Sequence, residues 1–310
     1  IMIKYFYKNL RSETIRELSE PKPGTWVHVE APTQDEIELL VKKFKLDDGY
    51  IFDALDEDEV PRLEREDDKS YMFVRYAYKN GEGDMDTAPL LIVFDSEYII
   101  TMSLFHLPAI DSLLKSSTPF ATTQRTKLIL LILGHISEQY DSVISQTSKR
   151  IKSIRSRLRT QGITNQDLID FVTIEDELNE FMASLLPTNA ALRRLLAGKQ
   201  LALFEEDEDI VEDVLLNNEQ SIEAIRASLK SVTNIRDAYL AISSNNLNRT
   251  ITVLTVATIL VALPNVFFGM YGMNISLPEQ HAPWAFPAII GINLVLITSI
   301  IIYARKKKII

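Results

Sequence analysis

Twenty residues from Ile251 to Met270 carry no charge, and about 20 consecutive apolar residues is what a helix needs to cross the hydrocarbon core of a bilayer. This segment is expected to span a membrane. A second apolar run, Ala285 to Ala304, follows close behind, broken only by Asn293 and ordinary hydroxyls. A chain ending in two spans must place its other residues on a separate, water-facing body.

The first span is not uniformly greasy. Read at a helical period from Asn248, one row meets Thr255, Ala262 and Gly269, and a companion row offset by three meets Ile251, Thr258, Asn265 and Gly272. The bulk lies elsewhere, at Val253, Val256, Ile259, Leu260, Leu263, Val266, Phe267 and Phe268. A row of small and polar side chains suits close packing of helices or contact with water. Asn248 and Asn265 weigh toward water, because an amide in lipid is costly unless partnered or wet.

Tyr271-Gly272-Met273-Asn274 follows the first span, before a short loop and the second span. In that position it resembles the signature of the CorA family of magnesium channels. The resemblance runs from Asn248 through the Arg305–Lys308 tail (RKKK) and, more loosely, over the whole chain, a large N-terminal region followed by two spans.

One polar-faced helix cannot enclose an aqueous path in lipid, so several copies must surround an axis, and the resemblance implies that they number five, a homopentamer. Gly272, Met273 and Asn274 would form the entrance, with Asn274 as a polar ring for hydrated Mg²⁺, Gly272 permitting the turn and Met273 supporting the ring. Down the pore would follow Gly269, Asn265, Ala262, Thr258, Thr255 or Leu254, Ile251 and Asn248. Leu254 is the candidate hydrophobic constriction, and Ala262 is smaller than the residue usual in the family at its level. Glu279, repeated around a ring, would gather cations at the outer mouth.

The resemblance also implies regulatory Mg²⁺ between soluble domains of adjacent subunits. Asp213, counted back from the GMN tripeptide, falls where the family has a stalk-helix aspartate for this purpose; Asp209, Glu212, Asp84 and Asp86 are further candidates. The acidic run from Glu205 to Asp213 also reads as N-terminal decoration of a helix, where carboxylates suit the dipole. Mg²⁺ is thus expected as both cargo and inhibitor, with no organic cofactor. Co²⁺ and Ni²⁺ are further candidate cargo, and a zinc, cobalt or nickel transporter of the same superfamily, as in the ZntB branch, is the near alternative. A membrane-anchored scaffold or sensor, its polar row only packing helices, is the distant one.

Composition narrows the rest. The chain has no cysteine, which excludes disulfides, thiolate zinc sites and cysteine nucleophiles. Its net charge of −10 argues against nucleic acid and is compatible with attracting cations. No GxxxxGK[ST] loop and no catalytic constellation is present, so an enzyme is not expected. The loop from Tyr271 to Trp284 lacks Lys and Arg, whereas Arg249 precedes the first span and Arg305 to Lys308 follow the second. Both termini are therefore expected in the cytoplasm of a plasma (inner) membrane protein. No signal peptide is evident, and the soluble residues are expected to stay where they are made.

The predicted fold is an α+β cytoplasmic domain, a mixed sheet with flanking helices, plus a long helical hairpin, a long stalk helix and an all-helical membrane part. Strands are predicted at Met2–Tyr7, Thr25–Val29, Arg62–Arg65, Tyr71–Tyr78, Leu90–Phe94 and Tyr98–Met102, with a turn over Asn80–Asp84. Thr33 and Glu36 form a capping box for a helix, and Asp47–Leu55 reads as a short one. The domain is drawn as 1–123, the hairpin as 124–204 with a break at Gln161–Thr164, the stalk as 205–250, the first span as 251–270, the outer loop as 271–284, the second span as 285–304 and the basic tail as 305–310. Basic residues Lys149 to Arg159 face acids Asp167 to Glu180 across the hairpin. Pro187 is expected to interrupt its second arm and Gly198 to close it. His28, His106 and His135 have no ligand-like spacing and are expected to be structural.

Overall fold

The computed structural model describes residues 3–12, 14–81, 83–115, 119–160, 164–197, 203–275, 279 and 281–307, with the backbone alone at 158–160, 165 and 205. The strands are β1 (Ile3–Tyr7), β2 (Arg16–Leu18), β3 (Trp26–Glu30), β4 (Arg62–Glu66), β5 (Lys69–Lys79), β6 (Met85–Phe94) and β7 (Ile99–Ser103). They form one seven-stranded sheet in the order β2-β1-β3-β7-β6-β5-β4. Only β3 and β7 run parallel, with Trp26 beside Ile99 and Glu30 beside Ser103. The sheet is therefore mixed, as its sequence pattern implies.

Both faces of the central strands are buried, which is why β5 and β6 read as almost unbroken apolar runs. One face carries Val27, Val29, Tyr71, Phe73, Leu91, Val93, Ile100 and Met102 against α1 (Gln34–Phe44) and α2 (Asp48–Asp53). Thr33 and Glu36 make the predicted capping box, and Asp47 caps α2 through Gly49 N and Tyr50 N. The opposite face meets α4 (Arg125–Thr160) and α5 (Asn165–Ala197), while α3 (Pro108–Lys115) packs on α4. Sequence reading missed β2 and α3. β2 is three residues without a buried position, held as an edge by pairing with β1.

α4 and α5 are the two arms of the hairpin. Its charges pair across as expected: Arg150 Nη2 lies 3.4 Å from Asp170 Oδ1, and Arg157 bonds Asp167. Residues 161–163 and Gly198, predicted as the break and the closing residue, lie outside the described residues. Pro187 does not interrupt the second arm; α5 runs through it to Ala197. An interior proline costs about 3 kcal/mol, but Leu185, Leu192 and Leu195 on either side are buried, each contributing about 1.5–3 kcal/mol. Burial therefore outweighs the break.

The histidines find structural partners. His28 Nδ1 lies 2.9 Å from Thr101 Oγ1, which also accepts Trp26 Nε1–H at 2.9 Å. With the Thr101 hydroxyl donating to Nδ1, His28 Nε2–H faces Glu30 Oε1 at 3.3 Å. Glu30 also accepts the Leu107 amide at 3.0 Å and meets His106 Nδ1 at 3.3 Å. Burial works to raise the Glu30 pKa, but hydrogen bonds from His28, Leu107 and His106 carry it down to about 2. His135 bonds Glu138.

The chain divides into two units, Ile1–Asn234 and Ile235–Ile310. α6 (Glu205–Tyr271) is one uninterrupted helix that contributes to both, and α7 (Ala285–Lys306) completes the second.

Candidate functional site

Within the second unit, α6 and α7 are each long and apolar enough to cross a membrane. The side chains of α6 that are only partly exposed in the span are Val256, Leu260, Leu263, Pro264 and Phe267. α7 buries Ala285, Ile289, Asn293 and Ala304, which lie on one face by their spacing. These are the partly or fully covered rows of the two helices.

The predicted pore residues lie on the other side of α6. At about 100° per residue, Asn248, Ile251, Leu254, Thr255, Thr258, Ala262, Asn265 and Gly269 all fall within about 60° of one direction, and the covered row centres about 160° away. Every one of them is exposed, Leu254 at 66%. The small, polar row is thus open along its length, including Asn248 just before the span and Asn265 within it. Thr255 and Thr258 turn their hydroxyl protons inward, to Ile251 O at 2.8 Å and Leu254 O at 2.9 Å.

At the C-terminal end of α6, Gly272 N donates to Phe268 O at 2.9 Å and Met273 N to Met270 O at 3.3 Å, closing the helix. A Cβ on Gly272 would stand 3.1 Å from the Phe268 carbonyl oxygen. Gly272 is not in the left-handed region, so what this glycine supplies is space. Met273 and Asn274 follow, exposed, and Glu279 is exposed with φ 56°. Trp284 is the N-cap of α7, and Trp284 and Tyr303, near the two ends of the helix, are exposed as interfacial aromatics would be. Asn293, 4% exposed, turns Nδ2 to Ile289 O at 2.9 Å.

The acidic candidates divide by role. Asp207 is buried and its Oδ2 accepts Phe204 N at 3.1 Å, so this carboxylate caps the start of α6. Asp209, Glu212 and Asp213 stay exposed on the next turns. Asp84 and Asp86 sit at the β5–β6 turn, Asp86 accepting Thr87 N at 2.7 Å. Glu177 of α5 lies nearby: burial raises its pKa, the Met85 amide opposes this, and the Asp84 charge adds to it. Among the described residues of one chain, no group of three or more carboxylates or imidazoles gathers to hold a metal.

Sequence reading missed the buried polar cluster around Arg75. Arg75, 7% exposed, donates to Thr87 Oγ1 (2.9 Å), Thr87 O (2.8 Å), Glu57 O (2.7 Å) and Glu59 O (3.0 Å). A charge inside the apolar run YMFVRYAY was the available signal.

Residues 22–308 match the family described as CorA-like Mg²⁺ transporter protein. The chain belongs to that family. It is a membrane-embedded transporter of divalent metal ions, in a family of transporters rather than enzymes. The cobalt/magnesium transport protein CorA of Methanocaldococcus jannaschii is 25% identical over 288 residues, covering 91% of this chain and 90% of that protein. Among solved structures, the complete CorA magnesium transporter from the same organism superposes with a TM-score of 0.85 at 22% identity, covering 98% of both chains. The cytoplasmic domain of ZntB from Vibrio parahaemolyticus shares the fold more loosely, with a TM-score of 0.63 at 14% identity over 79% of this chain and 100% of that one.

Proposed function

We propose that this CorA-family chain is a homopentameric channel that takes up Mg²⁺ across the plasma membrane, both termini in the cytoplasm, and is closed by cytoplasmic Mg²⁺ bound between subunits. The single observation that carries the reading is the open row on α6, from Asn248 to Gly269, opposite the partly covered row of Val256, Leu260, Leu263 and Phe267. Copies of α6 arranged around an axis would turn this row inward and leave α7 outside, toward lipid. The number five rests on the family resemblance.

Gly272, Met273 and Asn274 would hold the entrance. Mg²⁺ dehydrates reluctantly, so amide and carbonyl oxygens that bond its water shell suit the ion better than a tight cage. Glu279 would raise the local cation concentration. Leu254 and Ile251 would form the apolar constriction where a hydrated ion is stopped when the ring is narrow.

For regulation, Asp213, with Asp209 and Glu212, offers exposed hard oxygen donors on α6, and Asp84 and Asp86 are candidate partners on the adjacent subunit. Mg²⁺ between them would hold neighbouring soluble units together. When the sites empty, carboxylate repulsion would loosen the ring and widen the pore. In domain terms, 205–250 acts as stalk, 251–270 lines the pore and 285–304 is the outer span.

The test is Mg²⁺ flux into proteoliposomes, with and without Mg²⁺ on the side of the soluble unit. Asn274→Ala is expected to abolish flux, and Asp213→Lys to weaken inhibition while leaving flux. Flux of zinc without magnesium would keep the family and replace the substrate. No flux of any ion from native protein would overturn the channel reading.

A further inference from the structure

Three helices of the first unit meet at one amide. Asn218 on α6 is 2% exposed. Its Oδ1 accepts the hydroxyl proton of Ser137 on α4 at 2.6 Å, and its Nδ2 donates to Asn189 Oδ1 on α5 at 2.8 Å. Ser137 Oγ accepts in turn from Asn217 Nδ2 at 3.0 Å. Ser137 and Asn189 are themselves buried, so neither has water as a substitute partner.

Around this point the buried face of α6 is aliphatic: Val211, Val214, Ile222, Ile225 and Val232. Aliphatic side chains favour contact but discriminate poorly between registers. A buried amide matched to groups on two other helices has one good position, because any displacement leaves three polar groups unpaired in a dry interface. Ser221, the next buried polar residue on that face, has an Oγ without a hydrogen-bond partner among the described residues and does not share the task. Ser148 Oγ of α4 and Ser228 Oγ of α6, 3.0 Å apart, lie farther along the same interface and report its alignment.

We propose that Asn218 is a positioning residue for transport: it fixes the axial position and rotation of α6 against α4 and α5, and thereby sets how strongly the pore helix responds to divalent cations. The lock stands on this geometry, and its consequence for transport rests on the function proposed above. Replacing the amide by leucine keeps the branch point and the number of side-chain heavy atoms and removes the discrimination, so α6 samples neighbouring alignments.

The chain has no cysteine, so a Ser148→Cys, Ser228→Cys pair in the full-length protein in proteoliposomes gives an oxidation rate that reads the alignment alone. Rapid disulfide formation is expected with Asn218 in place. With Asn218→Leu added, the rate should fall about five-fold or more, and without the cysteines Asn218→Leu should shift the Mg²⁺ concentration that half-closes the protein by a similar factor, the lower end of ordinary coupling between sites. The thermal midpoint should fall modestly, since the Ser137 hydroxyl and Asn189 Oδ1 each lose a buried partner, and the cross-linking rate is therefore read well below that transition. Ser137→Ala, a smaller change, should move both readouts the same way and covers the case of a leucine variant that does not fold. Unchanged cross-linking in a folded variant overturns the lock. Altered cross-linking with unchanged half-closure overturns its role in transport. Native protein that carries no ion counts against the channel reading, and cross-linking then still decides the lock.

Discussion

Arg75 Nη2 lies 3.1 Å from Glu180 Oε1 and ties the middle of the sheet to the second arm of the hairpin. The same carboxylate oxygen accepts the Thr87 hydroxyl at 2.6 Å, and Ser184 Oγ approaches Thr87 Oγ1 at 3.2 Å. The other guanidinium nitrogen holds the backbone of Glu57 and Glu59. One buried cation thus joins strand, helix and acidic loop.

Arg75→Ala is therefore expected to destabilise strongly, by about 3 kcal/mol, the range for breaking a buried pair from one side. Glu180→Gln keeps an acceptor on a partly exposed side chain and should lose only about 1 kcal/mol. Thermal unfolding of the full chain in detergent checks the ranking. Equal losses would mean the ion pair itself, rather than the guanidinium's backbone contacts, dominates.

Glu30 provides a pH signature. Its folded pKa, about 2, lies below the ordinary carboxylate value of 4.5. A depressed carboxyl contributes stability above the unfolded value and loses it as pH falls through the folded one. The stability gap between the native chain and Glu30→Gln should accordingly be full at pH 6 and close between about pH 4.5 and 2. A gap constant across that window would contradict the assignment.

Because cysteine is absent, single substitutions can map the open face of α6. In membranes, Ala262→Cys and Thr258→Cys should react with a water-soluble thiol reagent at least about ten-fold faster than Val256→Cys or Leu260→Cys, because only the thiolate reacts and it forms in water. Similar rates at all four would place the polar row against protein or lipid.

Pro187→Ala should stabilise the chain, by up to about 3 kcal/mol, since α5 is already helical there and alanine restores the donor for the Ala183 carbonyl. A lowered melting temperature would mean that the ring packing of Pro187 matters more than the missing bond.

How much could be read in advance varied with the physics of each element. The spans, the capping box at Thr33 and Glu36, and the strands around Val74 and Ile92 were legible because their signals are local: apolar length, a four-residue spacing, a β-branched run. Arg16–Leu18 became a strand only through its neighbour β1, which no local pattern encodes. Pro187 was misread for the opposite reason, a local rule overridden by leucines buried at a distance in the fold. The row from Asn248 to Gly269 was visible as a helical period, but that it stays open while the opposite row is partly covered needed the structure. The Arg75 cluster and the Asn218 junction escaped because their partners lie far off in sequence.

The inward-turned hydroxyls of Thr255 and Thr258 have a consequence for ion sorting. A hydroxyl whose proton is held by the carbonyl one turn back offers its surroundings lone pairs alone. Repeated around an axis, such oxygens make a wall that is formally neutral yet electrically one-sided. The outward-pointing hydrogens of a cation's water shell find acceptors there, whereas chloride and its inverted shell find none. In the channel proposed above, such a wall would choose the sign of the permeant ion within the membrane without a carboxylate buried in lipid, where its desolvation would be hardest to sustain.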